Sequence, residues 1–435
     1  MDIQQKNKPN LLTRWLLAGI VFFPQLLPAQ QTSRDTLQLT VPKAEAIFLQ
    51  KNLTLLANQY NVDINKALVQ QAKVWDNPTL ITDQNIYDGK FFRHTTVNGV
   101  QYGQVYIQVQ QLIRTAGKIK KQTQLAEDNV LSAEAQFNDV LRNLKFVLTT
   151  DLNNLSQLSN TAAVFQSEMQ NLKALVKGMD EMLKLGDISQ KENVRIRALL
   201  FSLQNDYSDN LRQQFELQKE IGSMLQLNDS VWVVADAGTT LSASEISNLS
   251  VGMLQDSALQ LRPDFMLVKT QAAFQQHNIS YQKALAKPDL TVGVEYDHLN
   301  SYQPNYYGLA LSIPLPLFNK NKGNINAAEI AYKQSGTVIQ QVQNEVSKEV
   351  FTAWQKLQNA TAMLSNENVQ LQDNYEILMK NMISSYRQRQ VSLIEFIDFF
   401  EAYKDTRIKQ WQLITNQRND AAELNYTINQ NIIGL

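Results

Sequence analysis

Apolar residues recur at helical spacing over segments of this chain that are much longer than an ordinary helix. In residues 133–155 successive apolar positions lie 4, 4, 3, 4, 4 and 3 residues apart, and in residues 342–364 they lie 4, 4, 3, 4, 3 and 4 apart. Both series average near 3.67 residues, which exceeds the ~3.5-residue period of a left-handed heptad coil. The spacing predicts long helices that pack lengthwise in a straight or slightly right-handed bundle.

Each long helix is expected to be followed by a helix that runs back along it. Residues 117–225 and 323–433 are each predicted to form two antiparallel helices that are joined by a short interruption. In the first interruption, Gly186 suits the C-terminal cap of one helix, and Asp187 or Ser189 suits the N-terminal cap of the next. We therefore expect two very long helical hairpins.

Four shorter segments alternate with the period of two that is typical of strands. They predict β-hairpins over residues 79–112 and 289–313. One face of the second hairpin is aliphatic, and we expect it to contact lipid. Its residues are Leu290, Val292, Val294, Tyr307, Leu309, Leu311 and Ile313. Glu295 and Asp297 fall on the other face, which is small or polar, and are expected to line the lumen of a barrel.

The same order of elements occurs twice: a helix, a β-hairpin, a very long helix, a turn and a return helix. The sequence predicts a first repeat over residues 30–225, an inserted region over 226–261 and a second repeat over 262–435. The long helix of the second repeat is expected to run unbroken from Gly323 to about Tyr386. Because the smallest transmembrane barrels have about 8 strands, these strands could enter a membrane only if several copies of the chain combine.

The N-terminal segment and the composition indicate an exported protein. Residues 1–29 predict a secretory signal peptide, since basic residues precede the apolar run 15–23 and a plausible cleavage site follows it. A short membrane anchor is the alternative, although the run falls short of the ~20 residues of a spanning helix. A net charge of −1 gives no reason to expect nucleic acid as a partner, and the absence of cysteine excludes disulfides and thiolate metal sites.

Few residues in the sequence suggest catalysis or metal binding. His94, His277 and His298 are not at metal-ligand spacing. Methionines cluster towards the turn end of both helical hairpins and could coordinate Cu(I), but methionine more often packs helices. They are Met169, Met179, Met182, Met379 and Met382. Because no catalytic triad, metal motif or phosphate loop occurs in the sequence, we expect neither an enzyme nor a bound cofactor.

The junction between the second β-hairpin and the following helix carries a family resemblance. Residues 313–318, with the sequence IPLPLF, precede 319–323, NKNKG, and Gln110 through Lys118 match this junction in the first half. Together with the duplication, these residues resemble the TolC family of outer-membrane efflux proteins over nearly the whole chain after residue 29. The junction is most similar to the CzcC and CusC branch, which serves heavy-metal pumps of the resistance-nodulation-division class.

The resemblance implies a mainly α fold with a small β part. Each chain would contribute 4 strands and two long coiled helical hairpins to a homotrimer. The trimer would form a twelve-stranded barrel in the outer membrane of a Gram-negative bacterium, in contact with outer-membrane lipid, and a helical tunnel in the periplasm.

The resemblance also assigns a role to the two interruptions between helices. They match the family's periplasmic tips, where an adaptor protein docks and the tunnel is closed at rest. The tip residues are Leu185, Gly186, Asp187, Ile188 and Ser189 in the first repeat and Arg389, Gln390, Val391 and Ser392 in the second. Gln390 is expected at the position where the family usually has the glycine that Gly186 retains, so that the second tip is capped differently.

Three carboxylates lie close to the first tip. Threefold symmetry would turn Asp180, Glu181 and Asp187 into rings that hold cations in a narrow aperture. The alternative is a solvated helix end of mixed charge, because Lys184 and Lys191 are adjacent.

The implied function is a passive exit duct for solutes that an inner-membrane pump and a periplasmic adaptor deliver, with heavy-metal cations favoured. Organic compounds, drugs or polypeptides exported by type I secretion are alternatives within the same fold. A soluble periplasmic coiled-coil scaffold is an alternative of a different class. The sequence argues against that scaffold, because the aliphatic hairpin faces would leave a large apolar patch in water.

Overall fold

A computed structural model describes residues 35–434, apart from residues 88, 93, 237, 239, 243–245, 247–248, 301–302 and 366–374. The predicted signal peptide over residues 1–29 lies outside the described residues. The described part of the chain is mainly helical and contains one four-stranded sheet and two smaller ones. This confirms the predicted fold class at the level of a single chain.

The helices and strands occur in the predicted order along each half of the chain. The helices are α1 (Val41–Lys51), α2 (Leu53–Ala72), α3 (Lys118–Lys184), α4 (Gln190–Leu225), α5 (Val251–Leu261), α6 (Pro263–Leu285), α7 (Lys322–Leu364), α8 (Tyr375–Arg387) and α9 (Leu393–Ile428). The strands are β1 (Asp35–Leu39), β2 (Thr79–Gln84), β3 (Thr96–Val97), β4 (Val100–Gln101), β5 (Val105–Ile113), β6 (Val231–Ala235), β7 (Leu290–Asp297) and β8 (Tyr306–Ser312). None of the helices among these residues is both long and apolar enough to cross a membrane.

The long helices lie side by side and contact one another along their lengths. α3 has 67 residues, which corresponds to a length of about 100 Å, and α4 runs back along it. In the second repeat, α7 and α8 cover residues 322–364 and 375–387 of the single helix that was predicted over 323–386, and the segment between them lies outside the described residues. α9 contacts both α7 and α3, so the two helical hairpins are packed together.

The four-stranded sheet joins the two repeats. Its strand order is β2-β5-β7-β8, and every neighbouring pair is antiparallel. The central pair aligns Gln108 with Glu295 and Val109 with Val294. Since directly opposed residues of antiparallel strands share a face, one face of the sheet is mainly polar and the other is mainly apolar. β2 and β8 form the two edges of this sheet.

A second sheet was not foreseen in the sequence. β1 pairs with β6 in parallel, with Asp35 opposite Val231. Of these strands, only the β6 segment shows a β-like pattern. Gln218 of α4 holds β6 in place, because its side-chain amide donates to the Val233 carbonyl at 2.7 Å and accepts from the Val233 N–H at 2.9 Å. The partner of β1 lies so far along the chain that no local pattern indicates the pairing.

Three buried apolar clusters hold the helices together. One contains Leu148 and Leu152 of the first repeat, and its counterpart in the second repeat contains Val350 and Leu357. The third lies close to the tips and includes Phe396. Burial of apolar side chains is the main stabilising contribution to such packing, so the long hairpins are held as one body over their length.

Candidate functional site

The first tip is a tight turn between α3 and α4. Gly186 has a φ of +79°, and the Asp187 N–H donates to the Met182 carbonyl at 2.9 Å, which closes the end of α3. Ser189 is the N-cap of α4: its hydroxyl accepts from the Glu192 N–H at 3.2 Å, and its own N–H donates to the Glu192 carboxylate at 2.8 Å. The turn is therefore held at both ends by hydrogen bonds.

The second tip repeats this geometry. Ser392 caps α9 in the same reciprocal way with Glu395, and the Gln390 N–H donates to the Ser385 carbonyl at 2.9 Å. The residue with positive φ is Arg389, at +60°. The position equivalent to Gly186 is thus occupied by Arg389, and the expectation that Gln390 stands there is wrong by one residue. The second tip is capped as the first is, although a left-handed conformation costs a non-glycine residue about 1 kcal/mol.

Arg389 links the two tips. Its guanidinium Nη2 donates to the backbone carbonyl of Asp187, and it lies 4.0 Å from the Asp187 carboxylate. The pKa of Glu192 is lowered mainly by its hydrogen bonds with Ser189, and the positive charge of Arg389 contributes to the lowering. Sequence analysis placed Arg389 at the tip but did not identify its partner.

The carboxylates near the first tip have different surroundings. Asp180 accepts from Arg197 Nη2 at 2.6 and 2.7 Å and from Asn193 at 2.8 Å, and these hydrogen bonds lower the pKa of Asp180. Asp187 faces Arg389, whereas Glu181 is exposed. Two of the three carboxylates predicted to form aperture rings therefore lie beside arginines of the same chain.

A pocket of about 620 Å³ opens between the two tips. Met182 and Leu393 contribute apolar surface, and Glu181 and Arg389 contribute charged groups. An apolar surface with both signs of charge beside it is suited to contact with another protein. The tip residues Ile188, Val391 and Ser392 also line this pocket.

The methionines near the tips are packed among apolar side chains. Met169, Met179 and Met379 have exposed fractions of 9%, 2% and 1%, and Met182 and Met382 pack against the same cluster. This arrangement supports the packing interpretation over a copper relay. Across the part of the chain that the structure describes, no group of three or more histidine, cysteine or acidic residues is placed to hold a metal ion.

The histidines are likewise placed apart. His277 Nδ1 lies 2.6 Å from the buried Asp128 carboxylate, and His298 Nδ1 lies 2.9 Å from the side-chain oxygen of Asn305. His94 is exposed between short strands.

The two faces of the four-stranded sheet differ in polarity. Val294, Leu309 and Leu311 lie on one face and are 60%, 68% and 63% exposed. Glu295 and Asp297 lie on the opposite face. The Tyr106 hydroxyl donates to Glu295 at 2.8 Å, and Gln104 donates to Asp297 at 2.6 Å. An apolar face of this extent is unusual in water.

Comparisons with known proteins agree with this architecture. Residues 254–392 match the family model described as outer membrane efflux protein. One similar solved structure is that of CusC, from a description of the conformational changes that accompany its folding and transmembrane channel formation. It has a TM-score of 0.73 at 18% identity, and the match covers 89% of this chain and 91% of the CusC chain. The Campylobacter jejuni CmeC outer membrane channel has a TM-score of 0.73 at 12% identity, over 90% of this chain and 86% of its own. No curated protein matches the sequence.

A third solved structure extends this similarity. The outer membrane protein VceC from Vibrio cholerae has a TM-score of 0.72 at 14% identity, over 90% of this chain and 97% of its own. At such identities the likeness establishes a common fold, and the family match of residues 254–392 adds a sequence relationship. Together they confirm the resemblance to the TolC family of outer-membrane efflux proteins.

Proposed function

We propose that this protein is the exit duct of a tripartite efflux system. The premise is that residues 254–392 match the outer membrane efflux protein family in a chain with the fold of outer-membrane channels. An inner-membrane pump and a periplasmic adaptor deliver the solute, which leaves by diffusion without catalysis. The observation that carries the proposal is the connection, within one chain, of a sheet with one mainly apolar face to a bundle of long helices, of which α3 is about 100 Å long.

The edges of the sheet support assembly of several copies. β5 of the first repeat pairs with β7 of the second, so β8 of one copy is placed to pair in the same way with β2 of the next. Unpaired strand edges are not stable in lipid, and closure removes them. Three copies with the 4 strands of this sheet would form a twelve-stranded barrel in the outer membrane.

The helices support the same assembly. α6 contacts both α3 and α7, whereas, within the part of the chain that the structure describes, its counterpart α2 contacts α3 alone to a comparable extent. α2 carries an exposed apolar stripe of the kind that packs against a further helix. Its residues are Leu53 (59% exposed), Leu56 (46%), Tyr60 (58%), Ile64 (59%) and Leu68 (55%). In the trimer, α7 of the neighbouring copy covers this stripe.

The tips are proposed to receive the adaptor and to close the tunnel at rest. The pocket between them suits contact with a helical hairpin of the adaptor. The hydrogen bond from Arg389 to Asp187 holds the two helical hairpins of one chain together, and the tunnel opens when they separate.

Heavy-metal cations are the proposed solute, delivered by a pump of the resistance-nodulation-division class. The form of the 313–323 junction supports this preference. Efflux of organic compounds and type I secretion of polypeptides are the competing functions of the same duct.

Fractionation and bilayer recordings test the proposal. The protein should remain in the outer membrane until detergent is added, migrate on gels as a trimer that resists heat or detergent, and form ion channels in planar bilayers. Extraction without detergent as a monomer would instead support a periplasmic scaffold. Co-expression with its own pump and adaptor in a strain that lacks a corresponding outer-membrane channel should lower cellular metal; unchanged metal with lowered dye accumulation would favour organic compounds.

A further inference from the structure

We infer that the strands of the sheet, rather than the helical tips, set the charge selectivity of this duct and make it selective for cations. The inference rests on the proposed function, since it takes the polar face of the sheet to line a water-filled lumen. It concerns which solutes pass most readily and does not require a bound ion.

The charged residues of the four-stranded sheet are all acidic and all on one face. Among the described residues of β2, β5, β7 and β8, those with a formal charge are Asp83, Glu295 and Asp297. Asp83 is paired with Tyr106, and Tyr106 with Asp297, so both carboxylates stand on the same row of the sheet. Glu295 lies two residues from Asp297 and shares its face. Fixed charges of one sign on a lumen wall favour ions of the opposite sign.

The hydrogen-bond partners of these carboxylates leave their charge in place. Glu295 accepts from the Tyr106 hydroxyl at 2.8 Å and from the Gln108 amide at 3.3 Å. Asp297 accepts from the Gln104 amide at 2.6 Å. These donors are neutral, and among the described residues no lysine or arginine forms an ion pair with any of the three acids. The strands therefore orient the carboxylates without compensating them.

The wall is shaped around Glu295. Gly308 lies directly opposite it on β8, and a Cβ atom at this position would stand 2.7 Å from a Glu295 carboxylate oxygen and 2.6 Å from the Tyr306 ring. Because these distances are shorter than van der Waals contact, a larger residue at position 308 would displace the Tyr306 ring or the Glu295 carboxylate. Gly308 therefore leaves room for both groups to lie side by side on this face of the sheet.

At the tip, two of the three predicted aperture carboxylates are compensated, and the third, Glu181, is exposed three residues from Lys184. Asp180 is paired with Arg197 at 2.6 Å, and Asp187 lies 4.0 Å from Arg389. A carboxylate that is paired with an arginine produces only a weak electric field at a distance. Salt screens this field further, over a Debye length of about 8 Å. In a trimer each uncompensated acid of the sheet occurs three times around a lumen bounded by a low-dielectric wall, which strengthens the field.

The test is the reversal potential of the assembled channel in planar bilayers under a KCl gradient. The variant D83N/E295Q/D297N removes the three charges while it retains side chains of similar size. The matched control D63N/D229N/D256N removes as many charges from exposed positions outside the sheet. The variant D180N/E181Q/D187N represents the competing source of selectivity at the tip. Trimer formation is checked on gels for every variant.

We expect the wild-type channel to prefer K⁺ to Cl⁻ and the sheet variant to lose this preference several-fold, towards a permeability ratio of one. The exposed-site control should keep it. The preference should also be stronger at about 0.1 M salt than at about 1 M, where the Debye length is only about 3 Å. If the single substitution E295K reverses the preference, this result further supports the sheet as the part of the channel that selects ions by charge.

Two results would overturn the inference. One is a sheet variant that conducts with unchanged selectivity, and the other is a loss of selectivity in D180N/E181Q/D187N alone. Both leave the proposed duct intact, because the channel still conducts. A wild-type trimer that forms no channel at all would instead contradict the proposed function.

Discussion

Arg389 stands in a backbone conformation that favours glycine, and its side chain explains why an arginine is present. The guanidinium reaches across to the Asp187 carbonyl, so one residue both turns its own tip and joins it to the other. A glycine would satisfy the turn but would leave the tips separate. The modest backbone cost is accompanied by a charge-assisted hydrogen bond between the tips, which solvent screens because the Arg389 side chain is exposed.

Replacement of Arg389 by alanine is expected to loosen the closed end of the tunnel. Channels of R389A should show a several-fold higher mean conductance in planar bilayers, because the hydrogen bond between the tips is lost. R387A is the matched control: it removes the same charge from the same turn, and among the described contacts Arg387 forms no hydrogen bond with the first tip. Equal conductance of R389A and wild type would show that this contact does not restrain opening.

Asp151 is buried in α3 with one carboxylate oxygen, Oδ2, that has no hydrogen-bond partner among the described residues. Burial, with Glu220 nearby, raises the pKa of Asp151 to about 6. Glu220 and Glu423 are as far apart along the chain as Ser189 and Ser392, so they are counterparts in the two repeats. Glu423 forms an ion pair with Lys356 at 2.8 Å. Among the described residues, Glu220 thus lacks the lysine partner that its counterpart in the second repeat has.

The variant D151N is expected to be more stable than wild type at high pH. Because the folded pKa is raised above the ordinary value of 3.8 to about 6, ionisation penalises the native state above pH 6, by up to about 3 kcal/mol. The penalty disappears as pH falls below about 4, where the carboxyl is protonated in both states. Urea midpoints of the detergent-solubilised protein at pH 8 and pH 5 measure this; a pH-independent difference would contradict it.

At the scale of elements, the end of β8 and the start of β2 place exposed apolar groups at one end of the sheet. Beyond β8, Leu315, Leu317 and Phe318 are 72%, 67% and 99% exposed, and Trp75, which precedes β2, is 60% exposed. Lys320 is also exposed, two residues after Phe318. Aromatic groups with neighbouring lysines are typical of a membrane interface. We expect this segment to lie in the periplasmic leaflet.

A tryptophan at position 318 should report that location. In lipid bilayers, the emission added by F318W is expected to be quenched by brominated phospholipids, since the side chain would contact their upper acyl region. The control F201W adds a tryptophan at a position of α4 where Phe201 is 65% exposed, and its emission should be unaffected. Equal quenching of the two variants would place residue 318 outside the bilayer.

At the scale of the whole molecule, the apolar stripe of α2 is expected to control assembly. I64E/L68E should abolish the trimer, because it would bury unpaired charges between copies. Q70E places one charge at an exposed position of the same helix outside the stripe and should leave the trimer intact. Cross-linking in detergent, followed by denaturing gels, measures both. A stable I64E/L68E trimer would show that α2 faces water in the assembly.

The periodicity of the sequence predicted most of the architecture. In each repeat, the apolar pattern changes from a period of two to a helical period at the junction between sheet and helix, at residues 113–118 and 313–322. β7 has the bounds that its alternation indicates. β1 was missed, since a five-residue strand carries little pattern of its own. Gln390 was misplaced by one position because turn composition alone does not identify the residue with positive φ.

The sequence by itself determined the long helical hairpins, the strand pairs and the duplication, because helical and strand periods are local properties that each segment carries within it. The tertiary structure alone decided which groups meet: β1 with β6, Arg389 with Asp187 and Arg197 with Asp180. These partners are distant in the chain or lie on different helices, and their proximity depends on how the hairpins pack. Only that packing distinguishes a compensated carboxylate at the tip from an uncompensated one in the sheet.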